Sequence, residues 1–261
     1  MYTREFFATR APGSAASAEV IVPLVLSAVP ARSVCDFGCG IGTWLRAFNR
    51  HGVEDLIGLD GDYVERDALR IDRTLFRVAD LSRPIDLGRA FDLAVSLEVA
   101  EHLPEASARD FVASLVRAAP VALFSAAVPG QRGVGHVNEQ WHDYWAALFA
   151  EHDYAPFDIV RPAVWEDSRV DWWYRQNTLV YCRRDALEAY PALCAAGRAK
   201  MLSVMHPAGA TMLSNMLDSR VQPYLSELIS AVPPAFTRAL TNRVHKLLRP
   251  PIRQELRRNP H

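Results

Sequence analysis

The sequence predicts an α/β protein built around a mostly parallel sheet. Over roughly the first 185 residues, short β-branched runs alternate with amphipathic stretches, a pattern typical of strands joined by helices. From Asp185 onward the strand pattern stops, and proline-broken apolar stretches predict helices. Of the 261 residues, 50% are hydrophobic and 23% are charged, so the chain has enough apolar side chains for a large core.

Each predicted strand is a short apolar run, and the helices fall between them. The first helix is apolar enough to pack in a core and is ended by Pro30, whereas a later helix carries Phe111, Leu115 and Val116 at helical spacing. The predicted strands are Ser33–Phe37, Asp55–Asp60, Leu75–Asp80, Phe91–Leu97, Pro120–Val128, Pro156–Val160 and Asn177–Cys182. The predicted helices are Ala16–Val29, Thr43–His51, Glu105–Ala118 and Trp141–Glu151.

Charge and apolar run length exclude several classes of partner. With 29 Lys and Arg against 30 Asp and Glu, the net charge of −1 provides no general attraction to nucleic acid or anionic lipid. The longest apolar runs, near Val20–Val29 and Val121–Val128, are shorter than the roughly 18–20 residues of a membrane-spanning helix. The N-terminal residues do not match a signal peptide. We therefore expect a cytoplasmic protein with no membrane contact, which also fits four cysteines without a C-x-x-C pair.

A glycine-rich turn lies between the first strand and the next helix, in the sequence Asp36-Phe-Gly38-Cys-Gly40-Ile-Gly42-Thr. Glycines allow a tight turn and let a ligand approach the main chain at a helix N-terminus. The turn departs from the dinucleotide fingerprint G-x-G-x-x-G, and the Asp36 carboxylate would repel a pyrophosphate. A cofactor with a positively charged end, such as S-adenosylmethionine with its ammonium and sulfonium groups, fits this turn better.

Two further acids end the second and third predicted strands. Asp60 lies where a carboxylate accepts hydrogen bonds from both ribose hydroxyls of a nucleoside. Asp80 lies where a carboxylate receives an adenine amino group, while Leu81 packs on the base. In the alternative interpretation, each aspartate caps the turn or helix that follows it.

These segments resemble the successive motifs of class I S-adenosylmethionine-dependent methyltransferases. The resemblance covers about Arg32 to Arg183 and rests on Val34–Thr43, Gly58–Asp60, Val78–Leu81 and Phe91–His102. It implies a Rossmann-like sheet of seven strands, the last antiparallel, flanked by helices. It also implies a cofactor-binding domain over residues 1–184 and a helical extension over 185–261. The implied cofactor contacts are Asp36, Gly38, Gly40, Gly42, Trp44, Asp60, Asp80, Leu81 and Leu97.

The fourth strand is followed by the spacing E-x-x-E-H. If a helical turn begins there, Glu98, Glu101 and His102 share one face and bind a divalent cation, or His102 acts as a general base beside a glutamate. The spacing resembles the metal-binding segment of ubiquinone-biosynthesis O-methyltransferases and small-RNA 2′-O-methyltransferases, which implies Mg²⁺ or Mn²⁺ with His136 as a further ligand. A structural role for the segment stays open. The predicted catalytic residues are His102, His136 and Glu101.

The loop after the fifth strand and an aromatic cluster before the last strand are candidates for the acceptor side. The loop is polar and glycine-rich, and Asn138 is predicted to cap the next helix. Packing is the alternative role for the aromatic residues. The two segments together resemble a group of bacterial methyltransferase-domain proteins. The predicted substrate contacts are Glu98, Asn138, Glu139, Trp141, His142, Trp173 and Tyr174.

The sequence thus predicts an S-adenosylmethionine-dependent methyltransferase for a small-molecule acceptor, with oxygen favoured by the glutamates and histidines. Transfer to nitrogen or carbon, a cofactor-driven cyclisation, a cofactor-binding pseudoenzyme that acts as a partner subunit, and a nicotinamide oxidoreductase are the alternatives. The C-terminal helices are expected to cover the site or to form a homodimer contact. The basic segment from Arg238 lacks a nucleic-acid-binding pattern, so we expect it to be a solvated face.

Overall fold

The computed structural model describes residues 4–216, with side chains from residue 11 onward. It divides the chain into two compact units, Met1–Ala210 and Thr211–His261. The sequence places a domain boundary after residue 184, but the following segment belongs to the first unit, because Leu193 is fully buried and Arg161 binds the carbonyls of Met201 and Leu202. The predicted basic C-terminal segment lies outside the described residues, so its expected roles stay predictions.

One seven-stranded sheet forms the centre of the first unit. Its strands are β1 (Ser33–Phe37), β2 (Asp55–Asp60), β3 (Phe76–Val78), β4 (Leu93–Leu97), β5 (Val121–Ser125), β6 (Tyr154–Phe157) and β7 (Leu179–Arg183). They lie in the order β3-β2-β1-β4-β5-β7-β6, and β7 runs antiparallel to both β5 and β6. The predicted seven-stranded Rossmann-like sheet with an antiparallel last strand is confirmed.

Residues 207–216 are helical, and seven further α-helices surround the sheet in the described part of the chain. They are α1 (Arg4–Ala28), α2 (Thr43–Arg50), α3 (Ala108–Ala118), α4 (His142–Ala150), α5 (Arg161–Val164), α6 (Trp172–Asn177) and α7 (Pro191–Ala196). The helix predicted to begin at Ala16 begins twelve residues earlier in the structure. The predicted aromatic cluster forms the short helix α6, which strand and helix periodicity did not indicate.

The alternating side chains of the strands build a core on each face of the sheet. Val34 and Leu93 pack with α1 and α2, whereas Phe37 and Ala94 pack on the other face with α3 and α4. Residues 11–28 of α1 are long and apolar enough to cross a membrane by length and composition. In this fold 39% of that segment is buried, and Ile21 is among its residues that pack in the first core.

The parallel strands β1–β4 bring their carboxyl ends to one edge of the sheet. At that edge lie Gly38 after β1, Asp60 at the end of β2, Asp80 after β3 and Glu98 after β4. Ligands of open α/β sheets bind at this edge. The fold therefore gathers the residues that the sequence singled out from separate segments.

Candidate active site

A cavity of about 590 Å³ lies across the carboxyl ends of β1–β4. Its wall follows the strand order, from Asp80 and Leu81 beside β3 to Asp60 at β2, the glycine turn at β1, and Glu98 and His102 beyond β4. One continuous cavity therefore joins five of the nine predicted cofactor residues to His102, one of the predicted catalytic residues. The five are Gly38, Gly40, Asp60, Asp80 and Leu81, whereas Asp36, Gly42, Trp44 and Leu97 do not line it.

Asp60 fixes the glycine turn through backbone hydrogen bonds. Its Oδ2 accepts a hydrogen bond from Gly40 N at 2.6 Å, and its Oδ1 accepts one from Gly61 N at 2.7 Å and another from the Tyr63 hydroxyl. Gly38 has a φ of 91°, and a Cβ there would lie 2.4 Å from the Val99 side chain. The turn thus requires glycine, and the carboxylate that braces it also lines the cavity.

Asp36 is a buried acid on β1 beside this turn. Its side chain is 2% exposed, and its Oδ2 lacks a hydrogen-bond partner among the described residues. Burial, reinforced by the nearby Asp60 carboxylate, raises the pKa of Asp36 well above its ordinary value. A cationic or N–H-donating ligand group would satisfy such an oxygen, and the ammonium of S-adenosylmethionine is such a group.

Of the remaining predicted cofactor residues, two line the cavity and three, Gly42, Trp44 and Leu97, do not. Leu81 and Asp80 line the cavity, although Asp80 Oδ1 also accepts hydrogen bonds from Ser82 N and Oγ, as the capping interpretation expects. Trp44 is buried in the core with its ring edge-on to Tyr174, and Leu97 is buried at the end of β4. The side chains of Trp44 and Leu97 do not form part of the cavity wall, because core packing holds both of them.

The segment after β4 forms a short 3-10 turn over Ala100–His102 rather than the expected start of an α-helix. Glu98 precedes this turn with a φ of 56°, so it does not share a face with Glu101 and His102. Instead, Glu101, His102 and His136 place one ligand atom each within 4.8 Å of one another. The structure therefore brings three of the four predicted metal ligands together and leaves Glu98 outside the group, and metal binding by these three stays a prediction.

The electrostatics of these three residues suit a divalent cation. Glu101 is fully buried, and burial, reinforced by the nearby Glu98 carboxylate, raises the pKa of Glu101 well above its ordinary value, so a bound cation would favour its charged form. Burial, with a smaller contribution from His136, lowers the pKa of His102 to about 4, so its imidazole is neutral at neutral pH. His136 Nδ1 hydrogen-bonds Glu139 Oε1 at 2.8 Å, the carboxylate–imidazole arrangement that orients metal-binding histidines.

The methyltransferase-domain family model matches residues 7–177 of the chain. The chain belongs to this family. Its sheet is that of class I S-adenosylmethionine-dependent methyltransferases, which confirms the resemblance found in the motifs. The matched residues end with α6, so the family model includes the whole edge of the sheet that carries the cavity.

Solved structures of methyltransferases share this fold. The sugar N-methyltransferase KedS8 from Streptoalloteichus sp. ATCC 53650 is 20% identical, with 69% of this chain and 91% of KedS8 covered and a TM-score of 0.54. SAM-bound CalS10, an amino pentose methyltransferase from Micromonospora echinaspora, is 18% identical, with 70% and 98% covered and a TM-score of 0.50. Streptomyces venezuelae DesVI is 27% identical, with 49% of this chain and 57% of DesVI covered and a TM-score of 0.40. No curated protein matches the sequence.

Within this methyltransferase-domain protein, the loop after β5 packs on the segment after β4. Val137 N and Asn138 N both donate to the Glu101 carbonyl, and Glu139 accepts from Gly130 N at 2.8 Å and from Arg132 N. The predicted capping role of Asn138 is wrong, because α4 begins later and Trp141 occupies its N-cap position. The loop is instead fastened around the backbone of Glu101, which brings His136 to His102 with a ring-centroid distance of 4.7 Å.

Glu98 is held by two amide side chains that the sequence analysis did not assign to the site. Gln131 Nε2 donates to Glu98 Oε2 at 2.8 Å, and Asn177 Nδ2 donates to Glu98 Oε1 at 3.0 Å. Asn177 Nδ2 also donates to Gln131 Oε1 at 2.9 Å, which closes a triangle of side chains. Both amides occur in the two segments that suggested the acceptor side, but no spacing relates residue 131 to residue 177.

The other predicted substrate contacts lie at varied depths. Trp141 is 41% exposed, whereas His142 is buried and its pKa is lowered to about 4, chiefly by burial. Tyr174 hydrogen-bonds Ser14 of α1 and packs in the core, and Trp173 contacts Tyr174 ring to ring. The aromatic pair therefore fits the packing alternative, and of the predicted substrate contacts only Glu98 lines the cavity.

Proposed function

We propose that the protein transfers the methyl group of S-adenosylmethionine to a hydroxyl oxygen of a small cytoplasmic molecule, with Mg²⁺ or Mn²⁺ bound by Glu101, His102 and His136. The observation that carries this proposal is the single cavity that joins the Asp60-braced glycine turn to His102. In this proposal a cationic nucleoside binds at the glycine turn, next to the cluster that activates the acceptor.

The cofactor side of this proposal rests on matched chemistry. Asp60 keeps one lone pair, on Oδ2, for a ribose hydroxyl after its three hydrogen bonds, and the partnerless oxygen of Asp36 suits an ammonium group. Leu81 supplies an apolar surface for a base. Methyl transfer then requires alignment of the acceptor with the methyl group and the exclusion of water.

The acceptor side rests on the cluster after β4. A bound divalent cation lowers the pKa of a coordinated hydroxyl, which makes it a better nucleophile. Glu101 and the neutral His102 supply the ligand types that such a cation takes, and Glu139 orients His136. In the absence of a cation, the neutral imidazole of His102 accepts the hydroxyl proton itself.

Calorimetry tests the cofactor part of the proposal. We expect the purified protein to bind S-adenosylhomocysteine and not NAD. Tight NAD binding without S-adenosylhomocysteine binding would contradict the proposal. Incubation of the protein with methyl-labelled S-adenosylmethionine and an extract of small molecules then tests transfer. Label found on nitrogen or carbon would mean that the acceptor atom is not a hydroxyl oxygen. Cofactor binding without any transfer would favour a pseudoenzyme.

Mn²⁺ binding, followed by electron paramagnetic resonance, tests the metal part without the acceptor. We expect His136→Ala to weaken Mn²⁺ binding at least about tenfold, since it removes one of three ligands. The matched control is His51→Ala, which changes an exposed histidine at the end of α2. Equal Mn²⁺ binding by both variants, or full transfer activity in excess chelator, would leave His102 as a general base.

A further inference from the structure

Glu98 occupies an unusual place for a residue that only holds the fold together. It adopts a left-handed backbone conformation, and its amide donates to both the carbonyl and the hydroxyl of Ser125 on β5. Its two carboxylate oxygens each accept one amide N–H, from Gln131 and from Asn177. Each oxygen keeps lone pairs, and the residue lines the cavity.

The two amides that hold Glu98 are themselves fixed. Gln131 is 8% exposed and Asn177 is 1% exposed. Asn177 Oδ1 accepts from Gln176 Nε2 at 3.0 Å, and Gln176 Oε1 accepts from the backbone of His206 at 2.7 Å. This chain of hydrogen bonds leaves Asn177 Nδ2 directed at Glu98 and Gln131. The carboxylate is therefore preorganised, since its partners cannot turn away without losing bonds of their own.

The order of the strands locates Glu98 relative to a bound nucleoside. Along the cavity, Asp80 follows β3, Asp60 ends β2, Gly38 follows β1, and Glu98 follows β4. With the base beside Asp80 and the ribose at Asp60, the amino-acid end of a bound cofactor would lie at β1. Glu98, at the next strand end, would then be the carboxylate on the side of the sulfur from which the methyl group leaves.

We propose that Glu98 is the residue by which this protein distinguishes S-adenosylmethionine from S-adenosylhomocysteine, and that Gln131 and Asn177 are its positioning residues. The inference rests on the proposed function. Burial raises the pKa of Glu98, while the amides of Asn177 and Gln131 oppose that rise and favour the charged form. The substrate carries a positive sulfonium and the product a neutral thioether, so a charged carboxylate fixed near the sulfur favours the substrate. Asp36 does not make this distinction, because both ligands keep the ammonium group.

Calorimetric titration of each variant with the two ligands, in the absence of acceptor, tests this inference. We expect wild-type protein to bind S-adenosylmethionine about tenfold more tightly than S-adenosylhomocysteine. Glu98→Gln should bring that ratio to about one while the affinity for S-adenosylhomocysteine stays within about twofold of wild type. Asp36→Asn is the matched control, because it should weaken both ligands by the same factor and leave the ratio unchanged.

Gln131→Met keeps every charge but removes one donor to Glu98, which loosens the carboxylate. Its ratio of the two affinities should lie between that of wild type and the value of about one expected for Glu98→Gln. This variant therefore tests the inference even if Glu98→Gln fails to fold. If none of these variants changes the ratio of the two affinities, the inference is overturned. The proposed function stays intact in that case, since S-adenosylhomocysteine still binds. Equal losses for both ligands in Glu98→Gln would also overturn the inference, because they indicate a structural role. Wild-type protein that binds neither ligand would overturn the inference and the proposed function together.

Discussion

The two ends of the cavity are held in place by different kinds of bond. At the β1–β2 end, the Asp60 carboxylate binds the backbone of Gly40 and Gly61, so one side chain fixes the main chain of two neighbouring strand ends. At the β4 end, backbone hydrogen bonds such as those from Val137 N and Asn138 N to the Glu101 carbonyl are joined by contacts between side chains from distant segments. The triangle of Glu98, Gln131 and Asn177 is the example.

This difference shows how one fold can keep a cofactor site while its acceptor site changes. Backbone contacts at the β1–β2 end constrain few residue identities beyond glycine and one acid. At the β4 end, the position of each group depends on the loop after β5 and on α6, and such connections vary more readily than the strands they join. The comparison predicts that a substitution at the β1–β2 end affects only its immediate contacts. A substitution at the β4 end should also shift the other side chains of its hydrogen-bond network.

The strongest prediction concerns Asp60. Asp60→Ala leaves the N–H groups of Gly40 and Gly61 without their acceptor and removes the expected partner of the ribose hydroxyls, so we expect S-adenosylhomocysteine binding to weaken by at least about a hundredfold. Calorimetry measures this loss. The control is Asp55→Ala at the opposite end of β2, where an exposed ion pair with Arg89 is removed and binding should stay unchanged. Similar losses in both variants would refute the special role of the strand end.

A second prediction concerns the loop after β5. A Cβ added at Gly133 would lie 2.1 Å from His136 Nε2, so Gly133→Ala must move the imidazole or the loop. We expect Mn²⁺ binding to weaken about tenfold while S-adenosylhomocysteine binding stays at the wild-type level. Electron paramagnetic resonance and calorimetry measure the two affinities.

Val134→Ala is the matched control for this variant, since it changes the adjacent, half-exposed residue without adding atoms. It should leave both affinities unchanged. If Gly133→Ala weakened the two ligands to the same extent, the cavity would behave as one unit, and the contrast between its ends would be wrong.

The same contrast explains which features the sequence could predict. The strands, the glycine turn and the acids of the cofactor side follow from local patterns, because Asp36, Gly38 and Gly40 lie within five residues and Asp60 ends the neighbouring strand. The seven-stranded sheet and its antiparallel last strand followed from the family resemblance, and they are confirmed.

The acceptor side was predicted only in part. The proximity of His136 to His102 came from resemblance, whereas the exclusion of Glu98 from that cluster depends on its left-handed backbone, which the spacing E-x-x-E-H does not reveal. The bonds from Gln131 and Asn177 link residues 46 positions apart, and they depend on how a loop and a short helix pack. The first helix was predicted too short, since its N-terminal part contains Pro12 and Gly13, which normally mark helix ends.

The smallest predicted effect separates binding from stability at the cofactor end. Asp36→Asn removes a buried acid with a partnerless oxygen, so we expect the unliganded protein to be stabilised by about 1 kcal/mol while S-adenosylhomocysteine binding weakens. The gain depends on pH. Burial raises the pKa of Asp36 in the folded state, so this residue does not lower the stability of the wild-type protein below the ordinary aspartate pKa of about 4. As the pH rises above that value, the wild-type protein loses stability and the gain from Asp36→Asn appears.

Urea unfolding at several pH values checks this prediction, with Asp92→Ala as a control of opposite sign. Asp92 Oδ2 accepts hydrogen bonds from Arg32 N and Ser33 N, so its removal leaves two donors unpaired and should lower stability by about 1 kcal/mol. A stabilised Asp36→Asn that binds poorly would mean that the cofactor end keeps an unfavourable buried acid for its ligand. If both variants lost stability, Asp36 would hold the fold together just as Asp92 does, and the charge at β1 would need no ligand to explain it.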